Sequence, residues 1–168
     1  TIPDSVKTIG GAAFYNCYCV TSLSIGDGLK SIGDSAFYKI SSFLTSITVG
    51  DGNSVYDSRN NCNALIHTAT NTLLIGCENT VIPNGVEVIG ASAFYNSHLP
   101  SIDIPNTVKI IENSAFYLCG NLQSIVIPNS VEKISWNAFY LCYSLSSAEF
   151  GDGITTIGNQ AFMYTSLK

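Results

Sequence analysis

The sequence predicts a β-rich α/β solenoid, from two repeated markers and an unusually low content of charge. The pair Ala-Phe recurs with its phenylalanine at intervals of 23, 57, 22, 23 and 23 residues. An apolar residue that opens a turn recurs at intervals of 23, 24, 33, 22, 23 and 23 residues. Two independent markers with the same spacing indicate stacked repeats. The Ala-Phe marker has its phenylalanine at Phe14, Phe37, Phe94, Phe116, Phe139 and Phe162. The turn-opening marker falls at Ile2, Ile25, Val49, Ile82, Ile104, Ile127 and Phe150.

The composition is typical of a solenoid, and it argues against nucleic-acid binding and against membrane insertion. Hydrophobic residues make up 46% of the chain and charged residues 11%, whereas an ordinary globular domain carries about 25% charge. The net charge is −5 and no run of Lys or Arg occurs, which argues against nucleic acid because its binding depends on neutralising phosphates. No apolar stretch approaches the roughly 20 residues of a membrane helix, so we expect no membrane insertion within this chain.

The two markers divide residues 1–168 into one solenoid of about seven repeats. One irregular repeat, residues 49–81, carries about ten extra residues. The chain begins in the middle of the pattern and stops before the strand that would follow Lys168. We therefore expect a fragment of a longer repeat protein.

Each repeat is expected to contain a strand, a tight turn and a short helical turn. In Ser124–Ile127 the two isoleucines share one face of an extended segment. Pro128 ends this strand because it lacks a donor for the ladder. Residues 137–142 are predicted to form a short helical turn with Phe139 inside. Strands connected in this way form a parallel sheet with right-handed crossovers.

The repeat pattern is similar to a known family. The pattern Leu-x-x-Ile-x-Ile-Pro-x-x-Val-x-x-Ile-x-x-x-Ala-Phe-x-x-Cys stands at residues 122–142 and, slightly varied, at residues 99–119. It resembles the BspA-type leucine-rich repeat. The resemblance implies a right-handed leucine-rich-repeat superhelix in a surface or secreted protein, often bacterial. It also implies adhesion or binding of host or bacterial proteins, and the family has no catalytic motif.

The first candidate site is the row of strand residues that point away from the core. Leucine-rich repeats usually bind partners on this concave sheet, but the row lacks the Trp, Tyr and Arg anchors that dominate interfaces. A merely solvated face is the alternative. The row contains Ser22, Ser24, Ser46, Thr48, Ser101, Asp103, Ser124, Val126, Ser147 and Glu149.

The second candidate is a ladder formed by the aromatic residue after each repeat phenylalanine. Tyrosine offers a large amphipathic contact area at low entropic cost, which suits protein or sugar contacts. The alternative is packing between coils without any binding role. The residues are Tyr15, Tyr38, Tyr95, Tyr117 and Tyr140, with Met163 at the equivalent position of the last repeat.

The third candidate lies in the irregular repeat. Residues 63–77 indicate two short strands around a Thr-Ala-Thr-Asn turn. We expect a projecting, inserted β-hairpin with Arg59 and His67 near it, since loops on a rigid scaffold often carry function. The alternative is a junction between two blocks of repeats.

The six cysteines are expected to be free thiols. Cys17, Cys119 and Cys142 each follow a repeat phenylalanine by three residues, in a small slot where Cys acts as a compact hydrophobe. Cys62 and Cys77 are equidistant from the centre of the predicted hairpin, which leaves a disulfide between them as the alternative.

No pattern predicts a metal, a cofactor or a reaction. The two histidines, His67 and His98, lie in different repeats, and no Cys-x-x-Cys occurs. The three Gly-Asp-Gly sequences replace Pro-Asn turns, so turn chemistry explains them without calcium. A polysaccharide-cleaving β-helix would need acids or basic residues clustered on one sheet, and the sequence predicts no such cluster.

The sequence therefore predicts a non-catalytic, cell-surface or secreted module that binds or adheres to a protein or glycan partner. The alternative is a passive structural spacer within a larger surface protein.

Overall fold

The structure, a computed structural model that describes residues 1–168, is a β-solenoid of about seven turns with almost no helix. We number the coils 1 to 7 and call the irregular repeat, residues 49–81, coil 3. Two 3₁₀ helices, Ser41–Phe43 and Arg59–Asn61, are the helical elements. The strands are β1 (Thr8–Ile9), β2 (Ser22–Ile25), β3 (Ser31–Ile32), β4 (Ser46–Val49), β5 (Tyr56–Asp57), β6 (Ala64–His67), β7 (Thr72–Gly76), β8 (Val88–Ile89), β9 (Ile110–Ile111), β10 (Ser124–Ile127), β11 (Lys133–Ile134), β12 (Ser147–Phe150) and β13 (Thr156–Ile157).

The strands of the regular coils pair in parallel with their neighbours, but not in one continuous sheet. Four of the four-residue strands form two separate pairs, β2 with β4 and β10 with β12. β1 pairs with β3, and the remaining strands form a seven-stranded sheet in the order β13-β11-β9-β8-β7-β6-β5. Each strand is two to five residues long, so every coil depends on its neighbours for burial.

The predicted short helical turns are wrong. The six segments that carry Ala-Phe are runs of turns with a positive φ at their second and sixth residues, for example Asn137 (φ 57°) and Leu141 (φ 62°). We call them Ala-Phe turns; they are residues 11–16, 34–39, 91–96, 113–118, 136–141 and 159–164. Alternate N–H groups donate across to the next coil, as Phe116 N–H does to the Ala138 carbonyl at 2.7 Å. An α-helix would use these donors within itself.

The core is filled by stacked phenylalanines and the strand residues that face them. Phe94, Phe116 and Phe139 have no exposed surface, and Phe116 stacks on both neighbours with ring centroids 4.9 and 5.0 Å apart. Aromatic stacking at this separation adds to the free energy of burial. Phe37 stacks on Phe14 at 5.3 Å but not on Phe94, so the phenylalanine stack is interrupted at coil 3.

The antiparallel pair of β6 and β7 separates two hydrophobic cores. A core of 26 residues includes Ile66 and Leu73, while a second core of 13 residues includes Leu65 and Ile75. The pair is therefore buried on both faces and lies within the seven-stranded sheet. The expectation that this segment projects from the surface is wrong, because its apolar residues alternate between two cores.

Candidate binding surfaces

The strand row predicted from the sequence faces outward. Along β10 exposed Ser124 and Val126 alternate with buried isoleucines, as a strand with one buried face requires. Register aligns Ser22 with Ser46 and Val126 with Glu149. All ten residues of the row are exposed or half-buried: Ser22, Ser24, Ser46, Thr48, Ser101, Asp103, Ser124, Val126, Ser147 and Glu149. Val81, which precedes the Ile82 marker as Val126 precedes Ile127, belongs to the same row and was missed because coil 3 is irregular.

A shallow depression crosses the row between coils 4 and 7. It has a volume of about 630 Å³ and is lined by Asp103, Val126 and Glu149 among others. The Val126 side chain is 58% exposed there. An apolar side chain between two carboxylates forms a small amphipathic patch, which suits a partner with apolar and basic groups.

The tyrosine ladder exists, but most of its surface is used in packing. Successive ring centroids from Tyr15 to Tyr140 are 5.1, 5.2, 5.0 and 5.1 Å apart. Tyr15 is 44% exposed and Tyr95 8%, while Tyr38, Tyr117 and Tyr140 are half-buried. Burial raises the pKa of Tyr95 above its usual value. The ladder therefore exposes the edges of its inner rings rather than their faces.

The tyrosine ladder is continuous across coil 3, whereas the phenylalanine stack is interrupted there. Tyr38 of coil 2 lies directly against Tyr95 of coil 4. The Lys39 ammonium lies 5.4 Å from the centroid of the Tyr38 ring and 5.2 Å from that of Tyr95, at distances that allow cation–π attraction. Asn96 Nδ2 also donates to Ser42 Oγ at 3.0 Å. Coils 2 and 4 therefore touch along this edge.

Arg59 and His67 do not come together in one site. The Arg59 guanidinium donates to both carboxylate oxygens of Asp57, at 2.8 and 2.7 Å, and to Asn71 Oδ1 at 3.2 Å. These hydrogen bonds to Asp57 raise the pKa of Arg59. His67 Nδ1 lies 2.8 Å from Thr70 Oγ1, and its ring packs edge-on against Tyr56. Arg59 is thus neutralised locally, so its cation is not offered to an anionic partner.

A cleft that sequence reasoning did not identify opens where coil 3 lacks an Ala-Phe turn. This junction cleft has a volume of about 630 Å³. One side is the Ala-Phe turn of coil 2 and the other is the start of that of coil 4. β6 and β7 supply the floor and a wall through residues that include Leu65 and His67. The 57-residue interval between Phe37 and Phe94 was the available signal.

All six cysteines are free thiols, and Cys62 and Cys77 belong to different cores. The Cys142 thiol donates to the Phe116 carbonyl at 3.1 Å, and the Cys119 thiol makes the equivalent contact with the Phe94 carbonyl. Burial raises the pKa of Cys142 to about 12. These thiols therefore remain protonated and unreactive at neutral pH.

The Gly-Asp-Gly turns form hydrogen bonds between coils. Asp27 N–H donates to Asp4 Oδ1 at 2.8 Å, and Gly52 N–H donates to Asp27 Oδ1 at 3.1 Å. A Cβ added at Gly28 would collide with the Asp4 carbonyl oxygen. No three His, Cys, Asp or Glu side chains are grouped as metal ligands, and neither 3₁₀ helix is long and apolar enough to cross a membrane.

Comparisons with known proteins agree with this geometry. The chain is similar to a leucine-rich cell surface protein from Faecalibacterium prausnitzii A2-165, with 30% identity and a TM-score of 0.65 over 100% of this chain and 39% of that one. A leucine-rich repeat protein from Bacteroides ovatus shows 28% identity and a TM-score of 0.65 over 97% and 46%. The pneumococcal vaccine antigen PcpA, at 18% identity and a TM-score of 0.65 over 99% and 54%, shares the fold.

The chain spans less than two thirds of the length of each of these three proteins. The search of curated proteins gave no match. The BspA type leucine rich repeat region matches residues 1–73 and 74–168 in six copies. With the periodic Ala-Phe turns and outward strand row, this match places the chain in the BspA-type leucine-rich repeat family.

Proposed function

We propose that the chain is a non-catalytic binding module of a cell-surface or secreted protein and that it binds a protein partner through its strand row. The observation that carries the proposal is Val126, an apolar side chain exposed between Asp103 and Glu149 in the depression. The partner is expected to present an apolar side chain next to Lys or Arg. The cell-surface location is supported by the description of the F. prausnitzii protein.

The strand row supports binding better than the tyrosine ladder because its side chains have no competing role. Ser124, Val126 and Glu149 make no side-chain hydrogen bond, whereas the inner tyrosines pack on one another. β10 and β12, which carry Val126 and Glu149, are held together as a parallel pair, so a partner would meet a preorganised surface there. Such a surface loses little entropy on binding. The strand predicted at Ser101 and Asp103 is absent from the structure.

The test is binding of the purified chain to immobilised extracellular-matrix proteins, mucins and a glycan array, measured by biolayer interferometry. Val126→Arg and Glu149→Lys should each weaken saturable binding to a protein by about tenfold or more, since they place repulsive cations in the depression. Ser144→Arg and Glu132→Lys are the matched controls, as both positions are exposed and lie off the row. The controls should bind as the unsubstituted chain does.

Three results would contradict the proposal. If a folded chain binds nothing in the panel, the passive spacer becomes the better explanation. If binding is confined to glycans and is unchanged by Val126→Arg, the strand row is not the protein-binding surface. Turnover of any polysaccharide would contradict the non-catalytic assignment.

A further inference from the structure

The junction cleft has an unpaired row of backbone N–H groups on the coil 2 side and a partly unpaired row of carbonyls on the coil 4 side. At the four other contacts between Ala-Phe turns, N–H groups at the second, fourth and sixth positions donate to carbonyls at the first, third and fifth positions of the next turn, at 2.7–3.1 Å. In coil 2 the equivalent N–H groups, those of Ser35, Phe37 and Lys39, have no acceptor. In coil 4 the Ala91 and Tyr95 carbonyls accept no hydrogen bond, whereas the Ala93 carbonyl between them accepts one from Gly76 N–H of β7 at 2.8 Å. Coil 3 has no Ala-Phe turn to pair with either edge.

The cleft is closed at one end and open at the other. Tyr38 and Tyr95 meet at 5.2 Å, and Ser41 Oγ donates to the Ala93 carbonyl at 3.3 Å, so no chain can pass at that end. Asp34 and Ala91 lie at the open end and are exposed. A ligand that enters there reaches the N–H groups of Ser35 and Phe37.

The cleft offers an apolar floor and a polar mouth. Phe37 stacks on Phe14 with one ring face and has no aromatic partner on the other. Leu65, Leu74 and Ile75 line the cleft beside Phe37. The Asp34 and Glu112 carboxylates lie at the mouth, where Glu112 Oε2 accepts a hydrogen bond from Ala91 N–H at 2.9 Å.

We propose that the junction cleft is a second binding site, distinct from the strand row, which takes a short peptide segment of a partner protein. The carbonyl groups of the segment accept hydrogen bonds from Ser35 and Phe37 N–H. An apolar side chain of the segment packs on Phe37 and on the half-buried Leu74, and a basic side chain faces Asp34 and Glu112. No residue that lines the cleft also lines the depression.

The fold itself indicates that the ligand is a polypeptide. At four junctions the same donor edge is filled by carbonyls two residues apart, such as those of Asp34, Ala36 and Tyr38 opposite coil 1. A peptide backbone supplies acceptors at this spacing, as a strand does when it adds to the free edge of a sheet. The volume of about 630 Å³ falls in the range of ligand pockets.

The test begins with amide hydrogen exchange in the ¹⁵N-labelled chain. The Phe37 amide should exchange on the order of a hundredfold faster than the Phe116 amide, which is bonded to the next coil. Heptapeptides are then selected from a random phage-displayed library, synthesised and titrated by NMR and calorimetry. Selected peptides should combine a basic and an apolar residue, shift the Ser35 and Phe37 amide signals and slow their exchange.

Ala91→Trp is the blocking variant and Asn113→Trp its control. Both positions are the first residue of an Ala-Phe turn, and Trp136 stands there naturally in coil 6 with 53% exposure. Ala91→Trp should lower peptide affinity at least about tenfold, while Asn113→Trp at a closed junction should leave it unchanged. Asp34→Lys should weaken the binding of peptides that carry a basic residue.

Three results would overturn the proposal: a Phe37 amide protected as strongly as Phe116, no peptide enriched over the Ala91→Trp chain, or peptides that bind both Trp variants equally. Its failure is separable from that of the strand-row proposal. Ala91→Trp should retain matrix-protein binding that Val126→Arg loses, and Val126→Arg should retain peptide binding.

Discussion

Single residues at fixed positions of the repeat decide how the coils stack. Phe116 is buried between two rings, and its neighbour Tyr117 stacks in the ladder outside the core. Cys119 then bonds back to the coil before it. Three nearby residues of one repeat therefore serve the core, the edge and the contact between coils. This division was predictable for Phe and Tyr from their spacing.

Phe116→Ala should lower the free energy of unfolding by about 3–5 kcal/mol, because it leaves a cavity between two rings. Phe14→Ala should lower the free energy of unfolding by clearly less, since Phe14 is half-buried and stacks on one ring. Urea unfolding followed by circular dichroism measures both. Equal losses for the two variants would show that the stack is not what stabilises the core.

The buried thiols should make the chain less stable in alkali. An unfolded thiol has a pKa of about 8.5, whereas that of Cys142 is raised to about 12 by burial. The stability that the buried, neutral Cys142 thiol contributes is therefore fully present below pH about 8.5 and is lost as the pH rises towards 12. In this pH range, ionisation of Cys142 in the unfolded chain lowers the free energy of unfolding by up to about 1.4 kcal/mol per pH unit. The Cys142→Ser chain should lack this loss. Urea unfolding at pH 8, 9 and 10 measures this, and Cys19→Ser, at an exposed position, is the control.

The turn and strand elements show where sequence reasoning worked and where it did not. Alternation in Ser124–Ile127 predicted its outward face correctly. The Ala-Phe turns were misread as helical because compact turns with an inward phenylalanine share the local spacing of a helix. Residues such as Asn16, Asn96 and Asn137 at positive φ were the missed signal, since Asn tolerates that conformation. The 57-residue interval between Phe37 and Phe94 indicated that coil 3 lacks an Ala-Phe turn, but the geometry of the junction cleft could not be derived from it because no repeat pattern describes coil 3.

Gly76 joins β7 to the stack of phenylalanines. A Cβ there would overlap the Phe94 ring, so the bare backbone of Gly76 packs directly against that ring. Gly76→Ala should cost about 1–3 kcal/mol through overpacking. Gly10→Ala, where an added Cβ meets nothing within 4 Å, should cost less than about 1 kcal/mol. Thermal unfolding compares them, and equal melting temperatures would refute the contact.

The whole molecule contains two cores that share β6 and β7, and the smaller should open more readily. In a repeat protein each coil is stabilised by its nearest neighbours, so a local lesion has local effects. Ile47→Ala in the 13-residue core should speed hydrogen exchange in coils 1 and 2, while coils 5 to 7 keep their protection. Ile134→Ala in the 26-residue core is the reciprocal control. Uniform loss of protection in either variant, measured by mass spectrometry, would show a single cooperative unit.

The absence of an Ala-Phe turn from coil 3 also makes the two sides of the stack unequal at this junction. Tyr38 touches Tyr95 at the ordinary spacing between coils, yet β5, β6 and β7 lie in the sheet on the other side of the same junction. Each added strand occupies about 4.8 Å. Coil 3 thus adds three strands on the sheet side of the junction and no layer on the tyrosine side, and we expect this difference to bend the stack towards the tyrosine edge.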